Sequence, residues 1–118
     1  MIIGIVGCGG IARAHVNALC LNPLVTGLAL YDVNPDNVRQ LSEISSLPVT
    51  NCQDLEQLAG VSQGFIICTP NHLHVSVAEE VLRYKQLPFV CEKPLSTDLN
   101  SARYLQEIAP KGSIVSFN

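Results

Sequence analysis

Short apolar runs alternate along this chain with stretches in which apolar residues recur every three or four positions. The alternation predicts strands and helices in turn. Apolar runs at residues 1–6, 25–31, 49–50, 65–68, 89–91 and 114–117 read as six strands. Between them lie helical patterns. The first covers residues 11–21 and stops at Asn22-Pro23. The second begins at Asn34-Pro35-Asp36, where the missing N–H of Pro35 costs nothing, and buries Val38, Leu41 and Ile44. A short third helix carries Leu55, Leu58 and Ala59 and is expected to close at Gly60. The fourth, residues 72–84, turns Val75, Ala78, Val81 and Leu82 inward and Glu79, Glu80 and Arg83 outward. In the fifth, Ser96 reads as the N-cap, Asp98 suits the first turn, and Leu99, Ala102, Leu105 and Ala109 form the inner face before Gly112 breaks it.

Strands that alternate with helices build βαβ units, hence a parallel sheet with right-handed crossovers and helices on both faces. The fold class expected is α/β, a doubly wound parallel sheet of about six strands in the order 3-2-1-4-5-6. In that order the loops after strands one and four flank the reversal of strand order, where such sheets bind ligands. At 118 residues the chain suits one domain.

The first loop carries the most chemistry. Strand one runs straight into Gly7-Cys8-Gly9-Gly10-Ile11-Ala12 and then into a helix. Gly7 permits a tight turn, Gly9 lacks the Cβ that would hold a pyrophosphate off the backbone, and Ala12 lets the helix lie close on the strand. Free N–H groups and the positive end of the helix dipole attract phosphate there. An acidic residue about twenty positions on would hold ribose hydroxyls, and Asp32 stands there at the end of the second strand.

Composition narrows the partners. Hydrophobic residues make up 47% of the chain and charged residues 14%, as a buried parallel sheet requires. The formal net charge is -3 with no Lys/Arg cluster, which argues against nucleic acid. No apolar run approaches membrane-spanning length and no basic segment precedes the first strand, so the expectation is no membrane and a cytoplasmic location. The five cysteines form no Cys-x-x-Cys pair and read as reduced core thiols. Cys8, at a helix N-terminus, is the one whose reactivity is in question. Histidines and cysteines lack metal-ligand spacing, so no metal site is expected. Of the histidines, His15 reads as structural or exposed, and His74, in the first turn of the fourth helix, suits packing or a loop hydrogen bond better than acid-base work.

Three motifs in order, Ile5-Val6-Gly7-Cys8-Gly9-Gly10-Ile11-Ala12, Thr69-Pro70-Asn71-x-x-His74 and Glu92-Lys93-Pro94-Leu95, make the chain resemble the N-terminal domain of the glucose-fructose oxidoreductase and inositol 2-dehydrogenase family (Gfo/Idh/MocA) over essentially its whole length. The resemblance implies a Rossmann fold that binds NAD(P), with NAD expected over NADP. It implies that Gly7, Gly9, Gly10, Ile11 and Ala12 form the pyrophosphate turn and that Asp32 meets the adenosine ribose. Thr69, Pro70, Asn71 and His74 would lie on the nicotinamide side, Glu92 near the nicotinamide ribose, and Lys93 beside the reacting carbon, binding the substrate hydroxyl and assisting proton transfer. Two departures stand out. Tyr84-Lys85-Gln86-Leu87-Pro88 carries one residue more than the family's usual link into strand five, and the family's second α/β domain, which holds most substrate contacts, is not among these 118 residues.

The function expected is therefore the cofactor domain of an oxidoreductase that moves a hydride between NAD(P) and a sugar, polyol or related hydroxy compound. A non-catalytic dinucleotide sensor is the alternative, and a doubly wound nucleotide binder without redox chemistry is a more remote one. The small-molecule substrate would be met through the missing domain. Without that domain the last strand and the Glu92-Lys93-Pro94 rim are left partly uncovered, and a homo-oligomer is expected.

Overall fold

In the computed structural model, which describes residues 1–115, the alternation read from the sequence becomes five strands and five α-helices. They run β1 (Ile2–Val6), α1 (Gly10–Cys20), β2 (Gly27–Tyr31), α2 (Pro35–Ile44), β3 (Val49–Asn51), α3 (Leu55–Val61), β4 (Gly64–Ile67), a 3₁₀ turn (Asn71–Leu73), α4 (His74–Tyr84), β5 (Phe89–Cys91) and α5 (Leu99–Ile108). All strand pairs are parallel and the order is β3-β2-β1-β4-β5. Of the sixth strand expected at 114–117, the described part is one isolated parallel bridge, Ile114 to Val90, and residues 116–117 lie outside the described residues.

Period-two alternation within the strands divides the interior into two cores. Val6, Ala29, Phe65, Ile67 and Phe89 face α3, α4 and α5, where they meet Leu58, Ala78, Val81 and Leu105. Ile5, Leu28, Leu30 and Ile66 face α1 and α2, where they meet Ala12, Val16, Val38 and Leu41. Both faces of the sheet are therefore covered, which is why strands such as Gly64–Ile67 are buried throughout.

Helix starts follow local chemistry. The Asn34 side chain accepts the Asp36 N–H and Pro35 takes the first helical position. Asp54 accepts the Gln57 N–H at 2.8 Å. Two expectations are corrected. The cap of α5 is Asp98, not Ser96, because Asp98 accepts both the N–H and the hydroxyl of Ser101 at 2.8 Å; Leu99 then points outward, 57% exposed. Gly60 does not close α3, which runs on through Val61 to the extended Ser62. In the link from α4 to β5, Lys85 Nζ donates to the Ser62 carbonyl, the Gln86 amide donates to the Leu82 carbonyl and Leu87 drops into the core.

This layout puts β1 and β4 side by side at the reversal of strand order. Their carboxyl ends open on the crevice that carries the site.

Candidate functional site

Gly7 begins the site and has φ +89°, a conformation that costs glycine nothing and other residues much. A Cβ there would lie 2.7 Å from the Thr69 nitrogen and 2.8 Å from the Cys68 carbonyl carbon, so the turns after β1 and β4 touch at this point. Gly9, the N-cap of α1, meets the opposite situation: a Cβ built on it finds no atom within 4 Å. Packing within the chain does not demand glycine at that position. A group bound close against the helix N-terminus would. Gly10 and the half-exposed Ile11 form the first turn beside it, while Ala12 is fully buried against the sheet and serves as spacer between helix and strand.

Asp32, just past β2, is tied to the same turn. Its Oδ2 accepts the Cys8 N–H at 2.8 Å, its Oδ1 accepts the Asn34 N–H at 2.8 Å, and the Asn37 amide donates to Oδ2 at 3.4 Å. A carboxylate has about four lone-pair directions, so acceptor capacity remains on the crevice side. The crevice has a volume of about 600 Å³ and joins Gly7, Gly9, Asp32, Thr69 and Pro70 with an apolar wall from Val33, Leu55, Leu73 and Val77. A floor of glycine backbone, one fixed carboxylate and an apolar wall suit a ligand with a phosphate, a ribose and a flat ring.

The remaining site residues lie elsewhere. Asn71 opens the 3₁₀ turn, half-buried. His74 is 1% exposed and lies beneath the loops instead of on the crevice surface: its Nε2 is 2.9 Å from the Thr69 carbonyl and its Nδ1 3.0 Å from the Leu95 carbonyl, with Cys91 Sγ at 3.3 Å. It ties the loop after β4 to the loop after β5. Glu92 and the exposed Lys93 stand at the end of β5, and the Lys93–Pro94 peptide is cis. Glu92 N–H donates to the Ile67 carbonyl at 3.1 Å, which extends the sheet by one bond.

Sequence reasoning missed His15 as part of this arrangement. Its Nε2 lies 2.5 Å from Glu92 Oε1, each side chain about four-fifths covered, at 23% and 21% exposure. The signal was its place three residues after Ala12 and one before the buried Val16, on the face of α1 that meets the strand ends. Asn37, which steadies Asp32, was missed as well.

Cys8 is not an activated thiol. Burial first, and then the Asp32 carboxylate, push it up to about 12, and burial, followed by Glu92, does the same for Cys68 and Cys91. All five cysteines are free, and four of them are buried. No group of His, Cys, Asp or Glu among the described residues could hold a metal ion, and no helix among them is long and apolar enough to cross a membrane.

The family model for Gfo/Idh/MocA, described as an oxidoreductase family with an NAD-binding Rossmann fold, matches residues 1–118. The glucose-6-phosphate 3-dehydrogenase of Bacillus subtilis is 32% identical over 112 residues, which is 95% of this chain and 31% of the relative. The inositol 2-dehydrogenase of Renibacterium salmoninarum is 29% identical over 105 residues, 86% of this chain and 31% of the relative. Among solved structures, a 3-ketoreductase variant from Actinomadura kijaniata, in complex with TDP-benzene and NADP, aligns with a TM-score of 0.74 at 27% identity, over 100% of this chain and 38% of that one. The chain thus spans about a third of the length of the curated relatives it matches.

Proposed function

Because the chain belongs to the Gfo/Idh/MocA oxidoreductase family, with its NAD-binding Rossmann fold, we propose that it forms the dinucleotide-binding part of a dehydrogenase acting on a sugar, polyol or related hydroxy compound. The substrate class is supported by two relatives whose names specify a glucose-6-phosphate and an inositol dehydrogenase. In this reading Gly7, Gly9, Gly10 and Ile11 receive the pyrophosphate on the N-terminus of α1, and Asp32 accepts hydrogen bonds from the adenosine ribose. Thr69, Pro70 and Asn71 face the nicotinamide half, with Glu92 at its ribose. A bound nicotinamide supplies the hydride acceptor or donor. Lys93 binds the substrate hydroxyl and takes or returns its proton.

The observation that carries this reading is the Asp32 carboxylate, fixed by the Cys8 N–H at 2.8 Å within the crevice that contains Gly7 and Gly9. It also favours NAD over NADP, although one related structure holds NADP. A 2′-phosphate would meet the carboxylate at close range, and the next residues, Val33 and Asn34, supply no cation. Titration calorimetry with both dinucleotides is the test. Binding of NAD at least about tenfold tighter than NADP, a difference of about 1.4 kcal/mol, is expected. No heat with either ligand overturns the assignment, and tighter NADP overturns the preference.

A further inference from the structure

Two histidines reach the short segment that carries Lys93, one from each side of the sheet. His74 on α4 contacts both ends of it, Cys91 Sγ at 3.3 Å and the Leu95 carbonyl at 3.0 Å. Between those ends, the Glu92 side chain is held from α1. A carboxylate only accepts, so His15 Nε2–H donates to Glu92 Oε1. The other oxygen, Oε2, takes the Lys93 N–H at 3.3 Å. His15 is therefore the bond between the helix that begins at the glycine turn and the residue pair at the end of β5.

We propose that His15 is a positioning residue: it sets the Glu92 carboxylate against the nicotinamide half of the bound dinucleotide. The proposal rests on the NAD-binding reading above. A surface ion pair would contribute little. This pair differs in being about four-fifths covered, in joining residues 77 apart in sequence, and in having a rigid base on both sides. Ala12 and Val16 on α1 have no exposure at all, and the Glu92 N–H is bonded to the β4 carbonyl of Ile67. With both backbones fixed, the side-chain bond decides where the carboxylate points. Removal of the His15 donor leaves that carboxylate free to turn towards solvent, and the loss falls on the half of the ligand it faces.

The test compares NAD with ADP-ribose, which lacks the nicotinamide, by calorimetry on the 118-residue chain. His15→Leu keeps bulk and removes the donor, and His15→Ala removes both. Either is expected to weaken NAD about tenfold while leaving ADP-ribose within about twofold. His15→Gln, which retains an N–H donor, is expected to recover most of the loss. In a Glu92→Ala background, His15→Leu is expected to cause no further loss, since the histidine acts through that carboxylate. Equal losses for both ligands, no loss for either, or additive losses in the double variant overturn the proposal while the NAD reading stands. Wild-type protein that binds neither ligand overturns both.

Discussion

Gly7 and Asp32 show what a single residue reveals in sequence. Both belong to one βαβ unit, and a strand, a glycine turn and a spacing of about twenty residues suffice to find them. The structure adds a second reason for Gly7. Its Cβ position is filled not by the turn but by the loop after β4, 2.7 Å away at the Thr69 nitrogen. Gly7→Ala is therefore expected to cost about 2–5 kcal/mol, combining roughly 1–2 for the left-handed backbone with about 1–3 for the backbone clash. Urea unfolding reads it as a lower midpoint at unchanged slope. A shift below about 0.5 kcal/mol would show that the two loops do not press on each other. His15 was less legible for the opposite reason. Its place on α1 marks the face it lies on, but its partner Glu92 is 77 residues away and no local pattern records that contact.

Elements were legible where periodicity and burial agree. α2 is an example: Asn34 caps it, Pro35 opens it, and the buried stripe falls on Val38 and Leu41, although Ile44, read on the same stripe, is exposed at the helix end. α5 shows where the pattern is silent. Ser96, Thr97 and Asp98 all precede the same apolar stripe, and any of them has an oxygen able to cap. The choice of Asp98 follows from a pairing three residues on, where Ser101 returns both its N–H and its hydroxyl to the carboxylate. Those two bonds hold the exposed Asp98 carboxyl below its ordinary range. α4 was legible in its inner face. Ala78, Val81 and Leu82 lie inward, Val75 is half-buried, and His74, one turn before Ala78, continues the same face in the packing role that its position suits. A polar residue on an apolar stripe needs partners. Here one loop carbonyl takes the ring N–H, and Cys91 Sγ beside Nδ1 offers a partner to the other nitrogen, which makes the burial tolerable.

At the scale of the molecule, the site is a wall rather than an enclosure. The crevice runs beside Asp32 and the glycine turn, while Lys93 and Pro94 stand exposed outside its lining. Apolar surface is also open near the sheet edge beyond β5, where Ile114 is 61% exposed, and Met1 is 50% exposed. With a net charge of only -3 to oppose it, this surface is expected to drive self-association. Sedimentation at micromolar concentration reads that as a dimer or larger, and a strict monomer would refute it. The same openness bears on chemistry. In the proposed reading Lys93 would give a hydroxy compound a single contact. Orientation of reacting groups accounts for about 7–11 kcal/mol of a barrier, and a substrate gripped at one point recovers little of it. The 118-residue chain, saturated with NAD, is therefore expected to bind dinucleotide without measurable reduction of it on a panel of polyols and sugar phosphates. Absorbance at the reduced-nicotinamide band is the measurement. Steady reduction by the chain alone would mean that these residues orient the substrate unaided, and would move the catalytic assignment wholly onto the Glu92-Lys93 rim.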